Sequence, residues 1–342
     1  MKKILIIAFF LEVNCCADNT LINFEDYIGD IVENTQRIIL KEYPFAFNPS
    51  IVRIKDKILL SFRVIPERKN RFCSYIGLVW LNKSLEPISK PQLLKLRKSN
   101  CTAPSRCEDG RLLFVNDHLY LIYSDNEDVV ISKGGFRMYV AEIDYMSDTF
   151  QIKKVEKLAE FEDNDEHRRE KNWVPFEYKN KLLLSYSLEP HKVLLPVLEK
   201  GVCKSVALTN HKLEWDFGEL RGGTTALRNN DHYLAFFHSF KRMYTVHAPG
   251  KNAKCYCMGA YLFSAKPPFR ITHMSPVPLV GKKFYQGSQY VPYWGTVVAI
   301  FPCGFIFQDE KILVAYGRQD HEMWIATLDK KKLYASLVPV ID

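Results

Sequence analysis

Five times along this chain a short apolar strand, a polar turn and a second apolar strand recur, with polar residues where the strands end. The copies are Asn48–Val64, Glu108–Asp125, Asn172–Ser187, Thr224–Ser239 and Phe301–Arg318. Their second strands are centred near Leu59, Tyr120, Leu183, Leu234 and Leu313, about 50 to 80 residues apart, the period of sheet repeats that stack around an axis. A lone hairpin cannot bury its own apolar faces, so neighbouring copies must pack on one another. The pattern predicts an all-β chain folded as a five-bladed β-propeller, with residues 18–342 as one domain. Stacking would bring the polar strand ends together around one central opening.

The composition fits a packed body. Apolar residues make up 47% of the 342-residue chain and charged residues 25%, which is ordinary for a globular protein. The 18 Tyr, 22 Phe and 5 Trp suit sheet packing, or a site that stacks the flat faces of a ligand. The net charge of +8 is spread along the chain, with no basic tail and no nucleic-acid-binding module, so no nucleic-acid partner is expected. An anionic ligand such as phosphate, or an anionic cell surface, would suit this excess.

The first residues have the layout of a secretory signal peptide: Lys2-Lys3, the apolar run Ile4–Leu11, and small residues ending at Cys15-Cys16-Ala17. The run is too short to span a bilayer. Cleavage after Ala17 would leave a secreted or periplasmic chain starting at Asp18. Export permits disulfides. The mature chain would keep Cys73, Cys101, Cys107, Cys203, Cys255, Cys257 and Cys303, an odd number that leaves at least one thiol free or shared with another chain. Cys101 and Cys107 are close enough in sequence to close a small loop, while burial as small apolar residues suits most of the set equally well. Cys255 and Cys257 would share a strand face but have no matching second pair for zinc. Asn82-Lys83-Ser84 and Asn100-Cys101-Thr102 are glycosylation sequons in a eukaryotic host.

Several chemistries lack their motif. Arg221-Gly222-Gly223-Thr224 has neither the lysine nor the spacing of a phosphate loop, and there is no nucleophile elbow or His-Glu-x-x-His segment. What remains is carboxylates and cations at the strand ends: Glu108-Asp109-Gly110-Arg111, Glu170-Lys171-Asn172-Trp173, Arg63, Ser124, Glu189-Pro190-His191, His238 and Arg318-Gln319-Asp320. Breaking a glycosidic bond needs an acid on the departing oxygen and a nucleophile on the opposite sugar face, either water activated by a carboxylate or phosphate held by cations. Taken singly, each of these residues could be structural; Asp109 on composition alone could be a turn or cap residue. Gathered around one opening, they favour a carbohydrate site.

The order Asn48-Pro49-Ser50, Phe62-Arg63-Val64, Glu108-Asp109-x-Arg111, Lys171-Asn172-Trp173-x-Pro175, Gly223-Thr224, Phe237-His238-Ser239 and Gly259-Ala260-Tyr261-Leu262 resembles family 130 of the glycoside hydrolases. Ser275-Pro276-x-Pro278-Leu279, Val298-x-x-Phe301-Pro302-x-Gly304 and Tyr316-Gly317-x-x-Asp320 continue the likeness, which covers about residues 44–330. Members of that family are five-bladed propellers acting on β-mannosides, as inverting phosphorylases, as hydrolases or, in a related group, as mannosyltransferases.

The resemblance implies that Asp109 is the general acid. It implies that Arg63, Asn48, Arg111, Asn172, Tyr316 and Asp320 hold the sugar, and that Arg168, Arg169, Lys171, His191 and His238 are candidates for phosphate. It implies no metal and no cofactor, inorganic phosphate as a possible co-substrate, and a mannose-containing oligosaccharide as partner. Glu166, Glu170 and Glu189 could instead activate water. The family's Glu-Asp-Pro-Arg segment has Gly110 in its third position here, which would loosen the backbone beside the acid. That keeps open a glycan-binding module without catalysis; the odd cysteine count keeps open an adhesion role.

Overall fold

The computed structural model describes residues 21–66, 73–97, 105–126, 135–146, 149–160, 170–286 and 296–341. Regular structure there is almost all strand, apart from a 3-10 turn at Phe24–Tyr27 and an α-helix at Lys330–Ser336. The leader Met1–Ala17, Cys101 with its sequon, Glu166, Arg168 and Arg169 lie outside the described residues.

After β1 (Val32–Ile38), four strands form a first antiparallel unit: β2 (Phe47–Ile54), β3 (Lys57–Val64), β4 (Tyr75–Leu81) and β5 (Gln92–Leu93). A second comprises β6 (Glu108–Val115), β7 (His118–Asp125), β8 (Arg137–Met146) and β9 (Thr149–Glu160). The next comprises β10 (Val174–Tyr178), β11 (Lys181–Leu188), β12 (His191–Val197) and β13 (Val202–Thr209). Then β14 (Glu219–Gly222) and β15 (Leu227–Asn229) both pair with β16 (His232–Tyr244), which pairs with β17 (Asn252–Ser264), and β17 with β18 (Ile271–Met274). Last come β19 (Val297–Gln308), β20 (Lys311–Arg318) and β21 (Glu322–Asp329), followed by β22 (Val338–Pro339) on β18. β1 pairs antiparallel with β21, so an N-terminal strand completes the C-terminal unit. Two short parallel contacts, β9 with β13 and β17 with β19, join units into larger sheets.

The strand–turn–strand copies read from the sequence are the hairpins β2–β3, β6–β7, β10–β11, β15–β16 and β19–β20. Asn116-Asp117 and Lys179-Asn180 have positive φ at both turn residues, which matches the right-handed twist of the flanking strands. β3 is buried along nearly its whole length, whereas the outlying β13 is largely open. Strands packed on both faces thus read as continuous apolar runs and outer ones do not.

Each apolar cluster lies between one unit and the next. Leu59, Leu78, Leu112 and Leu121 join the first to the second; Ile122, Val140, Leu184 and Leu194 join the second to the third. Val174, Phe176, Phe237 and Phe263 continue the series, as do Phe236, Met258, Phe305 and Val314. Ile58, Leu60 and Val79 pack with Leu313, Ala315 and Ile325, so the last unit closes on the first. Cys107, Cys203, Cys255, Cys257 and Cys303 are all buried, as their small apolar character allows.

Candidate active site

The polar strand ends owe their position to a shared backbone device. In β2 and β6 the ladder slips at Asn48 and Asp109 respectively, and both residues adopt left-handed backbone, φ 48° and 53°. Asn172, just ahead of β10, has φ 64°. Asn and Asp tolerate this conformation better than other side-chain-bearing residues, and a bulge re-aims the side chain it carries. Three hairpins therefore present an Asx side chain at the same end. Gly317 makes room for the first, since a Cβ there would lie 1.9 Å from Asn48 Oδ1.

These side chains meet across the units. Asn48 Nδ2 donates to Asp109 Oδ1 at 2.8 Å, and Arg63 Nη1 to the same oxygen at 3.4 Å. Asp109 Oδ2 takes no hydrogen bond from the described residues. Arg63 Nη2 donates to Glu108 Oε1 at 2.7 Å, and Lys171 Nζ to Glu108 Oε2 at 2.5 Å. The ammonium of Lys171 also lies 3.6 Å from the centre of the Phe136 ring. Burial alone would raise the Asp109 carboxyl, but Arg63, the Asn48 hydrogen bond, Arg111 and Lys171 outweigh it and hold the pKa below the usual carboxylate value. Asp320, in the turn between β20 and β21, goes the other way. Burial, with Asp109 and Glu108 nearby, raises it to about 6 despite the opposing pull of Arg63.

Arg111 is placed differently from the sugar-binding role its motif implies. It is 1% exposed, and its guanidinium is taken up by the carbonyls of Gly223, Asp109 and Gly222 and by Asn172 Oδ1. It is a strut under the site that ties three units together. Tyr316 is also removed from the sugar-binding set. Strand alternation turns its ring into the core, 4.9 Å from that of Phe284, and burial pushes its phenol far up.

His191 lies outside the cluster. It is fully buried, its ring nitrogens meet Ser185 Oγ at 2.9 Å and the Phe269 carbonyl at 2.7 Å, and burial lowers its pKa to about 4. A neutral ring with both nitrogens engaged cannot serve as a phosphate cation. His238 does border the cluster, its ring 4.3 Å from that of Phe301 and tilted 42° to it. Burial, with Arg111 and Arg221 nearby, keeps it neutral well below the usual histidine value.

Gly110 is clamped rather than loosened. Its carbonyl accepts from Ser61 Oγ at 2.8 Å, and a Cβ on it would stand 2.7 Å from Leu121 Cδ1. The motif reading did not single out Tyr256, Cys303 or the ion-pairing role of Glu108. Tyr256 feels Asp320, Arg221 and Asp109, and burial drives its phenol to about 12. Cys303 is a buried thiol beside Asp109, Arg111 and Arg63, at the bulge of β19.

A hollow of about 640 Å³ opens beside this cluster and shares Lys171 and Asn172 with it. Its other walls include Glu170, Tyr186, Glu189, Trp215, Glu219 and Arg221. The volume lies within the range of small-ligand sites, about 300 to 1,000 Å³. Glu170 accepts from Trp173 Nε1 at 3.1 Å and Tyr186 Oη at 3.3 Å. Among the described residues no group of three or more His, Cys, Asp and Glu is placed to hold a metal ion.

The family described as beta-1,4-mannooligosaccharide phosphorylase matches residues 21–337. A glycosyl hydrolase from Bacteroides ovatus superposes with a TM-score of 0.61 at 17% identity, over 92% of this chain and 94% of that one. A beta-1,2-mannobiose phosphorylase from Listeria innocua, solved with beta-1,2-mannobiose, gives 0.58 at 16% identity, over 90% and 94%. A GDP-Man-dependent mannosyltransferase from Leishmania mexicana gives 0.55 at 12% identity, over 93% and 96%. At these identities the likeness is one of fold. Curated protein sequences give no match.

Proposed function

From the premise that the chain belongs to glycoside hydrolase family 130 and is a glycoside phosphorylase or hydrolase, we propose that it cleaves β-mannosidic bonds with inversion, Asp109 donating the proton. One observation carries this: Asp109 has one oxygen held by Asn48 and Arg63 and, among the described residues, no hydrogen bond to the other, in a cluster that borders the large hollow. Asp320 and Asn172 would hold the mannosyl unit, with Arg63 bridging acid and sugar. The departing oxygen would take the Asp109 proton while the nucleophile attacks C1 from the opposite face.

Phosphate is the nucleophile we favour. Lys171 and Arg221 stand at the wall of the hollow, and the family's phosphorylases use phosphate as co-substrate and no cofactor. Arg168 and Arg169, outside the described residues, are further candidates from the sequence resemblance. Hydrolysis is the second reading, because Glu170 and Glu189 line the same hollow. Incubating the protein with β-mannobiosides with and without phosphate separates the two. Phosphate-dependent mannose 1-phosphate supports the first, phosphate-independent mannose supports the second, and no turnover leaves a glycan-binding module.

We further propose that the units form five blades around one axis in a single domain spanning residues 18–342. The five hairpins and the packing of the last unit on the first support this; an experimental structure with two separate cores would refute it. The leader is proposed to be removed during export. Intact Met1 on exported protein, or protein confined to the cytosol, would count against that.

A further inference from the structure

β16 and β17 run well past the acid cluster as a long antiparallel ribbon, flanked by β14 as far as Phe240 and by the start of β19 along Lys254–Tyr256. They pair without a break from His232 with Ser264 to Tyr244 with Asn252. Residues paired across an antiparallel ladder share a face, and successive residues alternate between faces. In the outer half one face carries Ser239, Met243, Ala253, Cys255 and Cys257, all buried, with the exposed Lys241 opposite Cys255; Met243, Ala253, Cys255 and Cys257 belong to one core cluster with Phe24 and Tyr285. The opposite face carries, going outward, His238 with Met258, Phe240 with Tyr256, Arg242 with Lys254, and Tyr244 with Asn252.

This second face is continuous with the acid cluster. His238 borders it, Tyr256 feels the charges of Asp320 and Asp109, and Lys254 feels Asp320. The rings of Phe240 and Tyr256 lie 5.1 Å apart, and Arg221 sits 5.4 Å over Phe240. Beyond this aromatic step, Arg242 and Lys254 stand directly opposite each other. Like charges in that position weaken a ladder. Neither has a carboxylate within ion-pair distance among the described residues; Arg242 Nη1 bonds only the Asn252 carbonyl. A local conflict that a fold retains is expected at a functional surface.

We propose that this ribbon is a distal subsite for a phosphoryl group carried by the sugar ligand. A sugar ring lies on Phe240 and Tyr256, and the phosphoryl group sits between Arg242 and Lys254. The step between these pairs is two residues, about 7 Å along a strand. The inference rests on the carbohydrate-site reading above. The phosphoryl group could belong to a phosphorylated glycan or to a nucleoside diphosphate, and the test separates these sources.

Calorimetry at low salt would compare β-mannotriose, β-mannotriose 6-phosphorylated on its terminal unit, and ADP. The phosphorylated trisaccharide is expected to bind about 10-fold or more tighter than the neutral one, an advantage that shrinks as salt screens the two cations. The double variant Arg242→Gln, Lys254→Gln should bring the ratio of the two affinities to about one. Lys241→Gln with Lys251→Gln removes the same charge from elsewhere on the hairpin and should leave that ratio in place. Tighter binding of ADP than of the phosphorylated glycan, lost in the same double variant, would assign the group to a nucleotide. Neutral and phosphorylated glycans binding equally to the wild type would overturn this inference alone, as would a matched loss in the control variant. Binding of neither would overturn the carbohydrate-site reading as well.

Discussion

Two aspartates share Arg63 as a neighbour and differ in their hold on a proton. Asp109, at the bulge of β6, is surrounded by Arg63, Asn48, Arg111 and Lys171 and sits below the usual carboxylate pKa. Asp320 also feels Arg63, but Asp109 and Glu108 add to its burial, and it rises to about 6. The difference shows that the neighbouring charges, rather than burial alone, decide which carboxylate is ionised. In the empty site Asp109 is the anion and Asp320 lies closer to neutrality. Asp109 can donate a proton only if a bound sugar diverts Arg63 or Asn48 and dries the cluster further. The alkaline limb of kcat, where a proton donor is lost, should therefore show a higher pKa than that of kcat/KM.

The strongest break in the comparison is Asp109→Asn. It should keep the fold and sugar binding yet cut turnover by about 10²-fold or more, the scale of losing a general acid. Aryl glycosides, whose leaving groups need little protonation, should suffer less. Turnover of a natural disaccharide that is undiminished would remove Asp109 from the mechanism.

Asp320→Asn probes the other side through stability. With a folded pKa of about 6 against 3.8 unfolded, the folded state binds more protons between these values. The wild type therefore loses stability as pH rises through that window. Removing the charge should raise stability above pH 6 by on the order of 2 kcal/mol, less than the full linkage value of about 3 because the group keeps some solvent contact, and should change little below about pH 4. A thermal-melt difference that is flat with pH would contradict the raised pKa. Smaller again is Lys171→Met, which should raise the half-saturating phosphate concentration by about 10-fold if phosphate is the nucleophile, and leave it unchanged if Lys171 only braces Glu108.

The smallest effect on turnover is expected at His191, the residue that left the site. His191→Ala strands Ser185 and the Phe269 carbonyl, at a cost of about 1 to 3 kcal/mol, while activity per folded molecule stays within about twofold of wild type. A selective rise in the phosphate requirement would return His191 to the phosphate set.

Much of this organisation was legible in the chain. The hairpins follow from apolar runs broken by Asn, Asp and Lys turns, because strands packed on both faces must be continuously apolar. Asn48, Asp109 and Asn172 were legible as polar strand ends, and their left-handed backbone explains why Asx residues stand there. His191 and Tyr316 also stand near strand ends, but residue type does not reveal which way a ring turns, and both turn inward. Arg111 was legible as a motif residue, yet its role as a strut depends on carbonyls more than 100 residues away. The Phe240–Tyr256 and Arg242–Lys254 pairs depend on the register of a long ribbon, which alternation along either strand alone does not fix.

The central claim is that this cluster breaks a β-mannosidic bond by inversion, and product analysis tests it most directly. Wild-type protein given a β-mannobioside and phosphate should release mannose 1-phosphate as the α-anomer, with phosphate consumed in equal amount. Retained β-configuration, or a sugar that binds and is never turned over, would contradict the account.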